Sequence, residues 1–119
     1  MKINKRQFNR WLRALYEQEL PQSQRRLQNQ DGYCCLGVGC KVLIPKKKYR
    51  LADGCFLYGN YPDAQNDAPD WLKDINDDFY KKTDKFTLAL LNDDKGFTHP
   101  EIAMLLDLVY NYKILENEN

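Results

Sequence analysis

Asp31-Gly-Tyr-Cys-Cys-Leu-Gly-Val-Gly-Cys-Lys-Val-Leu-Ile44 is the least polar stretch of the 119-residue chain, and its reading decides the fold. It holds Cys34, Cys35 and Cys40, three of the four cysteines, and Gly32, Gly37 and Gly39. No charge falls between Asp31 and Lys41. Small residues let neighbouring backbone come close, and a free cysteine behaves as a small hydrophobe. The stretch reads as the buried centre on which other elements pack. Two local structures compete for it. In one, Asp31-Gly32 turns a hairpin between strand 25–28 and strand 33–35, and a short helix follows from Leu36 to Leu43. In the other, the whole run is a central strand. Leu36, Cys40 and Leu43 recur at helical spacing, which favours the helix, although Gly37 and Gly39 each weaken it by about 1 kcal/mol against alanine. Ile44-Pro45 ends it, because the residue before proline is driven out of the α region.

Upstream, residues 4–18 carry an amphipathic pattern. Asn4 is placed as an N-cap, and Phe8, Trp11, Leu12 and Leu15 make one apolar stripe. Lys5, Arg6, Arg10 and Arg13 lie mostly off that stripe and read as a solvated basic face. Pro21 stops the helix. Downstream, Tyr49–Ala52 and Cys55–Tyr58 flank Asp53-Gly54 as a second hairpin. Residues 59–68 read as a loop. Pro69 opens a short helix with Trp71, Leu72 and Ile75 buried. Residues 83–91 are ambiguous between strand and helix, with a short helix preferred, and Asn92 to Gly96 reads as a turn. Thr98-His99-Pro100-Glu101 is a capping box with proline in the first turn. Ile102, Leu105, Leu106 and Val109 then form the buried stripe of a helix to about Tyr112. The expected fold is α+β in a single domain, 1–119: N- and C-terminal helices with short internal helices on a small antiparallel sheet built from hairpins.

With 43% hydrophobic residues the chain can bury a core without staples. The polar start Met-Lys-Ile-Asn-Lys-Arg carries no signal-peptide pattern, and no apolar run approaches the roughly 20 residues of a membrane span. A cytoplasmic location and reduced thiols are expected. The net charge of +1 conceals an asymmetry. Residues 1–60 carry twelve Lys/Arg against four Asp/Glu, and residues 61–119 carry six against thirteen.

Several motifs together resemble a group of small bacteriophage and prophage proteins. They are Trp11-Leu12 with Ala14-Leu15, Pro21-Gln22, Asp31-Gly32-Tyr33-Cys34-Cys35-Leu36-Gly37-Val38 with Cys40, Trp71-Leu72, Leu88-Ala89-Leu90-Leu91-Asn92-Asp93, Gly96-Phe97 and Ile102-Ala103. The chain departs from that group at Gly39, where a larger apolar residue is more usual. The resemblance implies phage origin and an accessory role, and carries no catalytic residue with it.

Three chemistries are weighed. Cys35, or Cys34, stands just before a helix N-terminus, where a thiolate is stabilised, and His99 is the one histidine, so a Cys35–His99 dyad is one candidate. Metal is not expected: Cys-Cys-x4-Cys-x14-Cys holds no Cys-x2-Cys knuckle, and no phosphate-loop or dinucleotide motif occurs. Anion binding is the favoured chemistry. Arg25, Arg26, Lys47, Lys48 and Arg50 flank the central stretch, interleaved with Tyr33 and Tyr58, and cations with aromatic faces suit nucleotides. The expected function is a non-enzymatic, cofactor-free accessory protein. It would counter host antiviral defence by holding an anionic nucleotide-type signal or by blocking a defence protein. Nucleic acid is not the favoured partner, and self-association stays open. The alternatives are a cysteine enzyme using Cys35 and His99, or an acidic nucleic-acid mimic acting through residues 63–78.

Overall fold

In the computed structural model of the chain, the residues described are 3–24, 28–29, 32–45, 49–52, 55–58 and 69–113, with backbone alone at 28–29, 49–52 and 55–58. More than half of them are helical. Helix α1, Lys5–Tyr16, starts at Asn4 in a full capping box: Gln7 N–H donates to Asn4 Oδ1 at 2.8 Å and Asn4 N–H to Gln7 Oε1 at 3.1 Å. Its stripe of Phe8, Trp11, Leu12 and Leu15, joined by Ala14, is buried. Past its end Glu19 folds back and takes both ends of the Arg10 guanidinium, at 2.9 and 3.0 Å.

The apolar stretch forms helix α2, Cys35–Leu43. All six residues from Cys35 to Cys40 are buried, as expected of a helix apolar all round. Its ends follow the local chemistry. Cys34 caps the start, its sulfur accepting from Gly37 N–H at 3.4 Å, and Ile44 before Pro45 is extended. Gly39 explains how three helices meet on it. A Cβ there would stand 3.1 Å from Leu72 Cδ2 and 3.3 Å from Trp11 Nε1. The missing side chain is therefore the space in which α1 and the third helix approach.

Helix α3 runs over Asp70–Thr83, twice the expected length. Asn76, Asp77 and Asp78 are weak helix formers, but tertiary contacts override them. Phe79 is buried, and Tyr110 OH donates to Asp78 Oδ2 at 2.7 Å. Asp84 closes the helix at φ 56°, in the left-handed region. Helix α4, Leu88–Asp93, is capped by Thr87 and takes in Asn92 and Asp93, which read as turn residues in sequence. Helix α5, His99–Leu106, begins at the expected Thr98/Glu101 box. It does not run as α-helix to Tyr112: residues Asp107–Asn111 form a π turn. The wider turn accompanies Tyr110 packing edge-on to Phe8 at 5.5 Å while its hydroxyl reaches Asp78.

The expected α+β architecture is corrected. The core is helix on helix, with α1 against α2 and α5, and α4 against α2, α3 and α5. Among the described residues, strand pairing amounts to two short ladders, β1 (Gln28–Asn29) with β2 (Gly32–Tyr33) and β3 (Tyr49–Ala52) with β4 (Cys55–Tyr58), and one isolated parallel bridge between Gln22 and Tyr33. A two-stranded ladder is too small to serve as a core layer, and the apolar run that could have made a central strand is α2. Gly32 pairs with Asn29 rather than sitting in the turn. It lies at φ 153°, and a Cβ there would collide with the Pro21 carbonyl. Among the described residues no helix is long and apolar enough to cross a membrane.

Candidate functional site

Residues of the Pro21-Gln22, Cys34-Cys35 and Asn92-Asp93 motifs converge on one buried node. Asn92, fully buried at the end of α4, uses its whole amide. Its Oδ1 accepts from Gln22 Nε2 at 2.9 Å and from Cys35 N–H at 3.2 Å. Its Nδ2 donates to the Ser23 carbonyl at 2.8 Å and to Asp93 Oδ1 at 2.9 Å. Gln22 also donates to the Phe97 carbonyl at 2.8 Å and accepts from His99 N–H at 3.0 Å. Two side chains thus satisfy first-turn N–H groups of α2 and α5, which have no partners inside their own helices. The extended segment 21–23 is laced to Tyr33 by Tyr33 N–H to Pro21 O at 2.8 Å and Ser23 N–H to Tyr33 O at 2.9 Å. One buried polar atom here, Ser23 Oγ, has no hydrogen-bond partner among the described residues.

Each member of the candidate dyad faces a backbone carbonyl. The Cys35 thiol faces the Leu88 carbonyl at 3.7 Å, and His99 Nε2 faces the Tyr33 carbonyl at 3.1 Å. His99 is buried, not exposed. Burial pushes its pKa below 6.5, while the Tyr33 and Leu20 carbonyls pull the other way. Burial raises the thiols as well: Cys34 to about 11, against hydrogen bonds from Gly37 and Leu36 that lower it, and Cys35 and Cys40 further. A helix N-terminus lowers a thiol pKa, and burial in apolar surroundings raises it. Here desolvation dominates, so the thiols are neutral packing groups. Among the described residues no group of three His, Cys, Asp or Glu is placed to hold a metal ion.

The sequence-derived anion set is only partly in view. Arg25, Arg26, Lys47 and Lys48 lie outside the described residues. Arg50 and Tyr58 stand on the paired strands β3 and β4. The Tyr33 side chain is buried, at 7% exposure. It packs in the core because β2 runs directly into α2.

Two charged grooves flank α1 and α3. The first, about 670 Å³, is lined by Arg6, Gln7, Asn9, Arg10, Arg13 and Leu43. Lys5 and Arg6 occupy the first turn of α1 with no acidic residue beside them, where the helix dipole disfavours positive charge. Sequence reasoning took this face as merely solvated. The signal it underweighted was cations at the wrong end of a helix. The second groove, about 520 Å³, is lined mainly by Ile3, Trp71, Asp74, Asp77, Asp78 and Lys81. It gathers part of the acidic segment, while Asp63 and Asp67 lie outside the described residues.

No curated protein and no solved structure matches the chain. A family model, by contrast, covers residues 3–110, from just before the α1 cap to the π turn. The chain belongs to the family described as a domain of unknown function, DUF8296.

Proposed function

We propose that this protein is a non-enzymatic binder of an anionic, nucleotide-type ligand. In this reading it is a phage-type accessory protein that counters host antiviral defence in the bacterial cytoplasm, by sequestering such a signal or blocking a defence protein. The observation that carries the binding part is the basic groove on α1. Arg6 and Arg13 are exposed on it, Gln7 and Asn9 add neutral donors and acceptors, and Arg10 is already committed to Glu19. Leu43, on its wall, stands three residues before Lys46 of the Lys46–Arg50 run. The cysteine-enzyme alternative is weakened by a Cys35 thiol and a His99 ring that face different carbonyls. The mimic reading keeps one observation in its favour, the Asp74, Asp77 and Asp78 groove.

The test is calorimetric titration of the full chain with a panel of mono-, cyclic and dinucleotides at low and high salt. A binder from the panel should lose about tenfold or more in affinity in the double variant Arg6→Glu, Arg13→Glu, and should weaken as salt rises. The same assay on Arg25→Glu, Arg26→Glu measures the share of that arm. Unchanged affinity in both double variants refutes anion binding. Loss of the protein's effect on neutralising Asp74, Asp77 and Asp78 instead favours the mimic.

A further inference from the structure

A third groove lies where α3, α4 and the π turn meet. Phe79, Phe86, Leu91, Phe97, Leu105 and Leu108 supply most of its walls, and its volume is about 370 Å³. That is within the usual range of small-ligand pockets, roughly 300–1,000 Å³. The polar group on its wall, Thr83 Oγ1, is already used: it donates to the Phe79 carbonyl at 2.9 Å and accepts from Phe86 N–H at 3.2 Å. The groove therefore offers a guest contact but almost no hydrogen bonds, and the guest's body must be apolar. Phe86, Phe97, Leu105 and Leu108 are only half-buried, so covering them releases water from apolar surface.

The charge at the groove is of one sign. Lys85 lines it, with its ammonium 5.3 Å from the centre of the Phe86 ring, and the Lys95 ammonium stands 5.8 Å from the same centre. Neither makes a salt bridge with a carboxylate among the described residues. Each is held by a ring face alone, an attraction of about 0.5–1 kcal/mol at an exposed site, and like charges around one ring repel. An anion placed at the rim would relieve both. Two residues of the floor, Leu108 and Val109, belong to the π turn Asp107–Asn111, a conformation that recurs at functional sites.

We propose that this groove binds a small amphiphilic anion, its short acyl or aryl body against Phe86, Leu105 and Leu108 and its acidic head between Lys85 and Lys95. The volume suits one such molecule. A docked protein partner would need an interface of about 1,000 Å² or more, which a pocket of this size does not provide by itself. The site is separate from the basic groove of α1, and its occupancy is independent of the nucleotide reading above.

Decanoate, kept below its micelle concentration, is the probe, with decanol as the neutral chain and acetate as the bare head. Amide spectra of the isotope-labelled full chain report the location. Decanoate should shift Phe86, Leu91, Phe97, Leu105 and Leu108, acetate should shift nothing, and decanol should bind about tenfold or more weaker than decanoate. The double variant Lys85→Gln, Lys95→Gln changes only exposed side chains. It should bring decanoate down to the affinity of decanol and leave decanol unchanged. Leu108→Trp, with its fold checked by circular dichroism, should exclude both. Equal binding of decanoate and decanol, insensitivity to the lysine changes, or decanoate shifts confined to α1 would overturn the proposal. So would an acidic amphipathic peptide shifting the groove amides where decanoate does not.

Discussion

Asn92→Leu should cost about 3–5 kcal/mol of folding stability, a large part of the roughly 5–15 kcal/mol that a domain of this kind has in total. Leucine keeps the branching of asparagine, although its methyl groups are bulkier than the amide and add some overpacking. The larger part of the loss comes from what the amide leaves behind. Cys35 N–H and the Ser23 carbonyl would stay buried with no partner, each at about 1–3 kcal/mol. Gln22 keeps the Phe97 carbonyl and His99 N–H but loses the group that positions its amide. Urea unfolding followed by circular dichroism and tryptophan fluorescence measures the effect. A loss below about 1 kcal/mol would mean that the node is not formed as described.

The second large effect belongs to Trp11. It is completely buried, meets Phe8 edge-on at 6.0 Å, and donates from Nε1 to the Cys35 carbonyl at 2.9 Å. It also borders the gap at Gly39. Trp11→Ala should therefore cost about 3–5 kcal/mol through the cavity it opens. Trp11→Phe keeps most of the buried area and should cost less, chiefly the lost bond to the first turn of α2. The same urea titration, read by circular dichroism, separates the two variants. Equal and small losses would show that α1 and α2 do not lock together through this ring.

What could be read from sequence was the local part of the fold. The stripe of α1, the Thr98 box of α5 and the helix from the central stretch to Ile44-Pro45 all depend on residues within a turn or two of each other. The architecture went wrong where a decision needed distant partners. Asn92 sits in an Asn-Asp-Asp run that looks like a turn. Its role depends on Gln22, Ser23 and Cys35, which lie 57 to 70 residues away. The second half of α3 carries poor helix formers and is held by Tyr110, 32 residues on from Asp78. Two Asp-Gly pairs suggested a sheet, but the ladders beside them are short, and Tyr33 of β2 packs into a core of helices. Gly39 was legible as a place where another element could come close, but not which element. Its reason, the approach of Leu72 and Trp11, is tertiary. For the site, the burial of Cys34, Cys35 and Cys40 was legible in the apolar run that holds them, whereas nothing local announces that the Tyr33 ring is buried.

The central claim is that the Gly-Tyr-Cys-Cys-Leu-Gly stretch is the buried hub of a helical core and not a reactive centre. Titration of thiols with an aromatic disulfide reagent in native buffer at pH 8, then in urea, tests it directly. Cys34, Cys35 and Cys40 should stay silent until the chain unfolds, because burial holds each thiol above its ordinary pKa and shields it from the reagent. At most one of the four thiols should react in the native state, Cys55, whose side chain lies outside those described. Two or more thiols reacting before unfolding would contradict the account.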